Sequence, residues 1–304
     1  MRVTVVGAGV AGLTTAIELE ARGHDVTVVA EKRGDDITSS VAGAVWFPYR
    51  AGESPRVLEW AHRTRARLEK LAHDPDAGID LLTFYECDES EQPPWWAGDV
   101  AVERVRAPVA GAPPAWRFRA PRAIPAMHLP WLEAHLRKPI ERHKIDALDP
   151  IDADVIVVCA GLGARTLARD QGVHGLLGQV IIVEPGTIPL DVSFTDERGP
   201  APIFYSIPRR DAVLLGGLSV PFEGDTPPAP DPAVTARILD QCRAFGWEPG
   251  AVIRERTGLR PVRAIPRVER DSIDPRVIHN YGHGGAGYTL AFACAEDVAS
   301  LIGS

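Results

Sequence analysis

Residues 2–6 form a short β-branched apolar run, and past a glycine cluster the apolar positions Leu13, Ala16, Ile17 and Leu19 recur at helical spacing. Gly23 and His24 close that helix, and residues 25–30 make a second apolar run. The N-terminus therefore predicts a βαβ unit and the start of a parallel sheet. Ser54 and Pro55 supply an N-cap and a first helical position, and Val57, Leu58, Trp60, Ala61, Leu68 and Leu71 mark the buried stripe of a helix reaching about Ala72. Residues 79–86 read as a strand. Between Cys87 and Pro125 the chain is rich in Pro, Trp and Gly, which predicts irregular structure within a mainly antiparallel region. A helix over 128–138 follows, then the continuous apolar run 153–160 of a strand buried on both faces. Residues 178–184, 203–207, 212–218 and 251–263 predict the strands of a second, antiparallel sheet, interrupted by a helix over 231–245. The chain closes with a strand over 276–281, a glycine-rich turn and a helix over about 289–302.

Composition narrows the classes. The 304 residues are 45% hydrophobic and 24% charged, values of a globular protein and not of a disordered or fibrous one. No apolar run approaches the ~20 residues of a membrane span, and residue 2 already opens a strand, which leaves no place for a signal peptide, so a cytoplasmic protein without a membrane partner is expected. With 33 basic and 41 acidic residues the formal charge is −8, which disfavours a nucleic-acid partner. Cys87, Cys159, Cys242 and Cys294 show no C-x-x-C spacing, so neither a redox pair nor a metal site is expected. Buried free thiols are the default. A bridge between Cys242 and Cys294, each on a predicted amphipathic helix, is the sharper hypothesis.

Gly7-Ala8-Gly9-Val10-Ala11-Gly12 follows the first predicted strand and opens the first helix. Glycine at those three positions allows a tight turn, close approach of backbone to a pyrophosphate and close packing of helix on strand, with the phosphates at the helix N-terminus. Glu31 ends the second strand about 20 residues on, where a carboxylate accepts both ribose hydroxyls and disfavours a 2′-phosphate. The nucleotide is therefore of the NAD or FAD kind. Two further features favour FAD. Residues 38–49 are small and hydroxylated directly after the second strand, which suits an extended cofactor running past the backbone, although the same composition describes an ordinary polar loop. Residues 283–287 run into the last helix, whose N–H groups can stabilise the negative charge that gathers on a reduced flavin.

The order of these stretches resembles the D-amino-acid oxidase family: GAGVAG at 7–12, SVAGAVWFPY at 40–49, DVIVVCAG at 154–161, YSIP at 205–208, GLRPVR at 258–263 and HNYGHGGAGYT at 279–289. The resemblance spans nearly the whole chain, and the last two stretches are its most specific part. It implies an α/β fold of two domains. A Rossmann-like, discontinuous FAD-binding domain with a parallel sheet takes residues 1–50, 125–175 and 264–304, and a substrate domain with an antiparallel β-sheet takes 51–124 and 176–263. It implies FAD held by Gly7, Ala8, Gly9, Val10, Ala11, Gly12, Glu31, Lys32, Thr38, Ser39, Gly43, Ala44, Val45, Ile145, Ala160, Gly284, Gly285, Gly287, Tyr288 and Thr289. The implied reaction is hydride transfer from the α-carbon of a free D-amino acid to flavin N5, with dioxygen as acceptor, giving a 2-oxo acid, ammonia and hydrogen peroxide.

The implied catalytic residues are Tyr205, Arg260 and Gly285. The Arg260 guanidinium makes two parallel hydrogen bonds to the substrate carboxylate that a lysine cannot make. The Tyr205 hydroxyl meets the same carboxylate, and the Gly285 carbonyl accepts from the substrate amine. Arg254, Arg256 and Arg263 share the strand, and arginines in so arginine-rich a chain are usually solvated or paired with acids. His279 and His283 read as structural.

The segment 194–204 corresponds to an active-site lid, but prolines break it and Ala201 stands where mammalian relatives carry a second tyrosine. Ser219 stands where a yeast relative has another tyrosine, and Phe47 replaces a glutamine of the pocket wall. Neutral or hydrophobic D-amino acids are the expected substrates. The alternatives are a D-aspartate oxidase with Arg209 or Arg210 as the extra cation, a glycine or sarcosine oxidase, a flavin protein without amine oxidation, and, from the βαβ unit alone, a colourless nicotinamide dehydrogenase. A homodimer is compatible with the reading.

Overall fold

The computed structural model describes residues 1–198 and 203–303, so Ala201 lies outside the described residues. Strand β1 (Arg2–Val6) is flanked in parallel by β2 (Asp25–Val29) and β6 (Val155–Val158), and β13 (Val277–His283) extends this block beside β6. Helix α1 (Val10–Ala21) and the C-terminal α7 (Gly287–Ile302) pack on each other over one face, and of the stripe read from the periodicity Leu13, Ala16 and Leu19 are fully buried and Ile17 partly so. The short α2 (Thr38–Val41) follows β2. Helix α3 (Pro55–Leu71) starts as its capping residues predict, the Ser54 side chain accepting from the Val57 N–H at 3.2 Å. It then packs on α7: Trp60 donates to Asp297 at 2.8 Å and Arg63 reaches Glu296 and Asp297. A helix from the 51–124 stretch thus lies against the C-terminal helix.

The remaining part, mainly antiparallel but with β3 and β8 paired in parallel, holds β3 (Ile79–Cys87), β4 (Glu103–Arg106), β5 (Pro114–Ala123), β7 (His174–Val183), β8 (Val192–Asp196), β9 (Phe204–Pro208), β10 (Val213–Gly216), β11 (Val220–Phe222) and β12 (Val252–Arg270). Between them run α4 (Pro125–Ala134), the short α5 (Ala164–Leu167) and α6 (Pro232–Ala244). The order across the sheet is β2-β1-β6-β13-β12-β7-β10-β9-β8-β3-β5-β4, with β11 on β7. The stretch 87–125 contributes two paired strands where the pattern shows only irregularity. Helix α4 begins at Pro125, where a missing N–H costs nothing, and ends at Ala134 instead of 138.

The two sheets expected from the pattern are one hydrogen-bonded sheet. Strand β12, predicted to stop at 263, runs to Arg270; its first part pairs with β7 and its last part with β13, and Val262 faces both His174 and His283. Pro261 and Pro266 hide this continuity, because each removes a backbone donor, and the register shifts between Val262 and Arg267 where the strand passes from one neighbour to the other.

All four cysteines are buried and free. Cys242 sits with Phe194, Phe204 and Ile238 in the core under α6, whereas Cys294 lies in the core shared by α1 and α3, so the Cys242–Cys294 bridge is not formed. Burial pushes the Cys87, Cys159 and Cys242 thiols up to about 12. Among the described residues no helix is long and apolar enough to cross a membrane, and no group of three His, Cys, Asp or Glu is placed to hold a metal ion.

Candidate active site

Residues opposite one another across a sheet point to the same face. Val180 faces Gly216, Gly216 faces Tyr205, Tyr205 faces Thr195 and Thr195 faces Glu86, while two steps along β7 from Gly178, Leu176 faces Arg260. One face therefore carries Arg260, Tyr205 and Glu86. Glycines clear a trough on it: a Cβ on Gly178 would lie 2.6 Å from Arg260 Nη1, and one on Gly216 2.1 Å from Tyr205 Cζ. The two long side chains lie across the sheet, Arg260 Nη2 donating to the Tyr205 hydroxyl at 3.4 Å and Nη1 to the Leu218 carbonyl at 3.2 Å.

Three arginines of the strand are committed elsewhere. Arg254 and Arg256 meet Asp35 at 3.0 and 3.6 Å, and Arg263 meets Asp170 at 3.0 Å. Arg260, among the described residues, has no carboxylate within salt-bridge distance, which leaves its charge for a ligand. Burial pushes the Tyr205 phenol up against the pull of Arg260, so its hydroxyl is a neutral donor. The Tyr49 ring lies 5.7 Å from the Arg260 guanidinium, its hydroxyl meets Ser219 Oγ at 2.9 Å, and its carbonyl accepts from the Gly285 N–H at 3.2 Å. Arg260, Tyr205 and Gly285 are thus brought together around Tyr49. Gly178→Ala is expected to leave the fold intact, because the atom it strikes is the tip of a flexible side chain, and to raise KM about tenfold by displacing the guanidinium. Steady-state kinetics beside a thermal melt check this; an unchanged KM would show that the trough does not position Arg260.

At the other end of the fold, Gly7 has φ +121°, and a Cβ there would lie 2.4 Å from the Cys159 carbonyl oxygen. A Cβ on Gly12 would lie 1.9 Å from the Gly7 carbonyl oxygen, so α1 starts in contact with its own turn. Ala8 and Val10 are buried, Ala11 is half-buried, and Gly9 lies beside Ser39. Gly287 approaches Val10, bringing the N-termini of α1 and α7 together beyond the C-terminal ends of β1 and β13. Neither helix has an acidic residue in its first turn, so both positive ends are uncompensated.

The hydroxyls of 38–49 are ties and not a solvated loop. Thr38 donates to the Leu259 carbonyl, Ser39 Oγ accepts from the Val10 N–H at 3.1 Å, and Tyr288 donates to the Ser39 carbonyl at 3.0 Å. Thr289 Oγ1 accepts from the Phe47 N–H at 3.0 Å and donates to the Phe47 carbonyl. These bonds hold Gly43, Ala44 and Val45 over the start of α7. Glu31 and Lys32 stand exposed just past β2, and Ile145 and Ala160 pack at the edge of the core around β6. Gly284 donates to the Pro261 carbonyl, one residue from Arg260. His279 Nε2 meets Asp271 at 2.9 Å, and burial holds His283 neutral, its pKa pushed down to about 4.

The family of FAD dependent oxidoreductases designated DAO matches residues 2–124 and 133–301. A D-amino-acid oxidase of Rubrobacter xylanophilus is 40% identical over 321 residues, covering 100% of this chain and 96% of its own. One of Streptomyces coelicolor is 36% identical over 310 residues, covering 98% and 96%. The chain belongs to the D-amino-acid oxidase family. It is an FAD-dependent oxidoreductase, and the fold agrees: a glycine oxidase from Bacillus cereus superposes with a TM-score of 0.81 at 18% identity, over 99% of this chain and 94% of that one. FAD fits the cofactor end of this oxidase on its own geometry, since the glycine turn leaves no room for a side chain and two uncompensated helix N-termini converge there.

Several features of the oxidase site are absent from the sequence reading. Tyr49 carries no role there, and the trough glycines Gly178 and Gly216 have no local signature, because their importance depends on which strands are neighbours. Arg209 and Arg210, the cations of the D-aspartate alternative, point elsewhere: half-buried Arg209 donates to the carbonyls of Ala123 and Ala42 at 2.8 and 3.0 Å, and Arg210 to that of Pro75 at 3.3 Å. Residues 194–196 and 204 are paired in β8 and β9, so the ends of the lid segment belong to the sheet.

Proposed function

We propose that this enzyme oxidises free D-amino acids, consuming dioxygen and water and yielding 2-oxo acid, ammonia and hydrogen peroxide. One observation carries the reading: Arg260, without a carboxylate partner among the described residues, lies in a glycine-lined trough beside the Tyr205 hydroxyl. A planar guanidinium and a neutral phenol together match the oxygens of an α-carboxylate. FAD, when bound, supplies a two-electron acceptor for the α-hydrogen as hydride and is reoxidised by dioxygen. Arg260 and Tyr205 hold the carboxylate, the Gly285 carbonyl accepts from the amine, and the wall around Tyr49 takes the side chain. With three substituents of the α-carbon fixed, the hydrogen of one enantiomer alone faces the acceptor. The amine loses its proton to solvent, and water then releases ammonia from the imine.

The same assignment makes 1–50, 125–175 and 264–304 the cofactor half and 51–124 and 176–263 the substrate half, with α3 packed across the divide. Four unbridged buried cysteines suit a reducing compartment, and we place the enzyme in the cytoplasm. Anaerobic absorbance spectra before and after D-alanine test the function. Bleaching of the visible flavin band by D-alanine and not by L-alanine is the expected result, and bleaching by L-alanine alone would overturn the stereochemistry.

A further inference from the structure

We propose that the side-chain pocket of this oxidase is built for D-amino acids that end in a cation, of the lysine or arginine type, with Glu86 and Glu197 receiving the charge. The inference rests on the D-amino-acid reading above and names its substrate class. A cavity of about 490 Å³ opens from Tyr49, whose ring packs on Arg260, and its wall includes Phe47, Trp96, Arg50, Glu86, Asp88 and Glu197. Phe47 and Trp96 lie edge to face, 5.5 Å apart, and form an apolar flank. Its acidic groups outnumber its one arginine.

Placement ties the acidic end to the anchor. Tyr205, Thr195 and Glu86 are abreast on neighbouring strands, so Glu86 lies on the same face as Tyr205 and two strands away, about 10 Å. Glu197 follows Thr195 by two residues and feels both Arg50 and Arg260. That span suits a long side chain whose carboxylate sits on Arg260. A short or neutral side chain leaves the acidic end untouched.

Glu86 supplies the second observation. Its Oε2 is sealed from solvent and meets no hydrogen-bond donor among the described residues, and the residue itself stands in the cavity wall. A buried acceptor without a partner is costly, and such groups call for an explanation. Burial, with Glu197 and Asp88 nearby, pushes the Glu86 carboxyl well up. A cation entering the cavity removes that cost by pairing with it. The aliphatic stem of lysine or arginine meanwhile lies along Phe47 and Trp96, which also favour a cation over their ring faces. A metal ion is a poorer occupant, since no three ligating groups converge among the described residues. D-aspartate is disfavoured by the same carboxylates.

The test compares D-lysine with D-norleucine, which has the same stem without the ammonium, on the holoenzyme and on Glu86→Gln and Glu197→Gln. We expect kcat/KM for D-lysine to exceed that for D-norleucine at least tenfold, and the ratio to fall at least tenfold in Glu86→Gln and measurably in Glu197→Gln. Without substrate, Glu86→Gln should melt no lower than the parent; a melt lower by several degrees would mark Glu86 as structural and overturn its role. If D-alanine bleaches the flavin but D-lysine is oxidised no faster than D-norleucine, the pocket assignment fails while the oxidase reading stands. If no D-amino acid bleaches it, both fail.

Discussion

Arg260→Ala is expected to lower kcat/KM for D-alanine about a thousandfold while the purified protein stays yellow. The substrate carboxylate must leave water to reach the trough, and the guanidinium is the charge placed to meet it, since the neighbouring arginines are bonded to Asp35 and Asp170. Removing one partner of a desolvated, hydrogen-bonded charge pair costs about 2–5 kcal/mol, and about 4 kcal/mol corresponds to that loss. Arg260→Lys keeps the charge but cannot make two parallel hydrogen bonds, so a loss of about a hundredfold is expected. Flavin retention should be unaffected, because among the described residues Arg260 hydrogen-bonds to Leu218 and Tyr205 and to nothing in the glycine turn. Rates near the parent's in Arg260→Ala, with flavin present, would mean that the carboxylate is held elsewhere.

Gly12→Ala should remove the flavin. Its Cβ would come within 1.9 Å of the Gly7 carbonyl oxygen and 2.9 Å of the Gly7 carbonyl carbon, both backbone atoms of the turn that must lie against the pyrophosphate. Helix α1 has to lift away from the turn, and overpacking of this kind costs about 1–3 kcal/mol in stability. The expected product is folded by circular dichroism, colourless after purification, and not restored by added FAD at concentrations that saturate the parent. Gly9→Ala should be milder, because the atom it meets is Ser39 Oγ at 3.1 Å, a side-chain tip that can turn aside. A yellow, active Gly12→Ala protein would show that the turn tolerates a side chain and that the cofactor is held by other contacts.

Much of this was legible along the chain because it is written locally. The βαβ unit shows in two apolar runs around a 3.6-residue stripe, α3 announces its start through Ser54 and Pro55, and the glycine fingerprint needs only its neighbours to be read. Arg260 and Tyr205 were marked by the stretches they occupy. Other features depend on which strands lie side by side. A continuous sheet through β12 is invisible in a sequence where Pro261 and Pro266 mimic strand ends, and the Cys242–Cys294 hypothesis fails because the helices carrying those thiols face different cores.

The sequence by itself determined the cofactor turn, which rests on spacing within a few residues, and its resemblance to the D-amino-acid oxidase family marked the fold class and the expected anchor residues. Tertiary structure alone decided that Gly178 and Gly216 clear the trough, that Tyr49 joins Arg260 to Gly285, and that Glu86 shares a face with Tyr205. Those relations arise from strand register between segments more than 100 residues apart in some cases, and register is settled by burial of whole faces, a sum over the sheet that no local pattern contains.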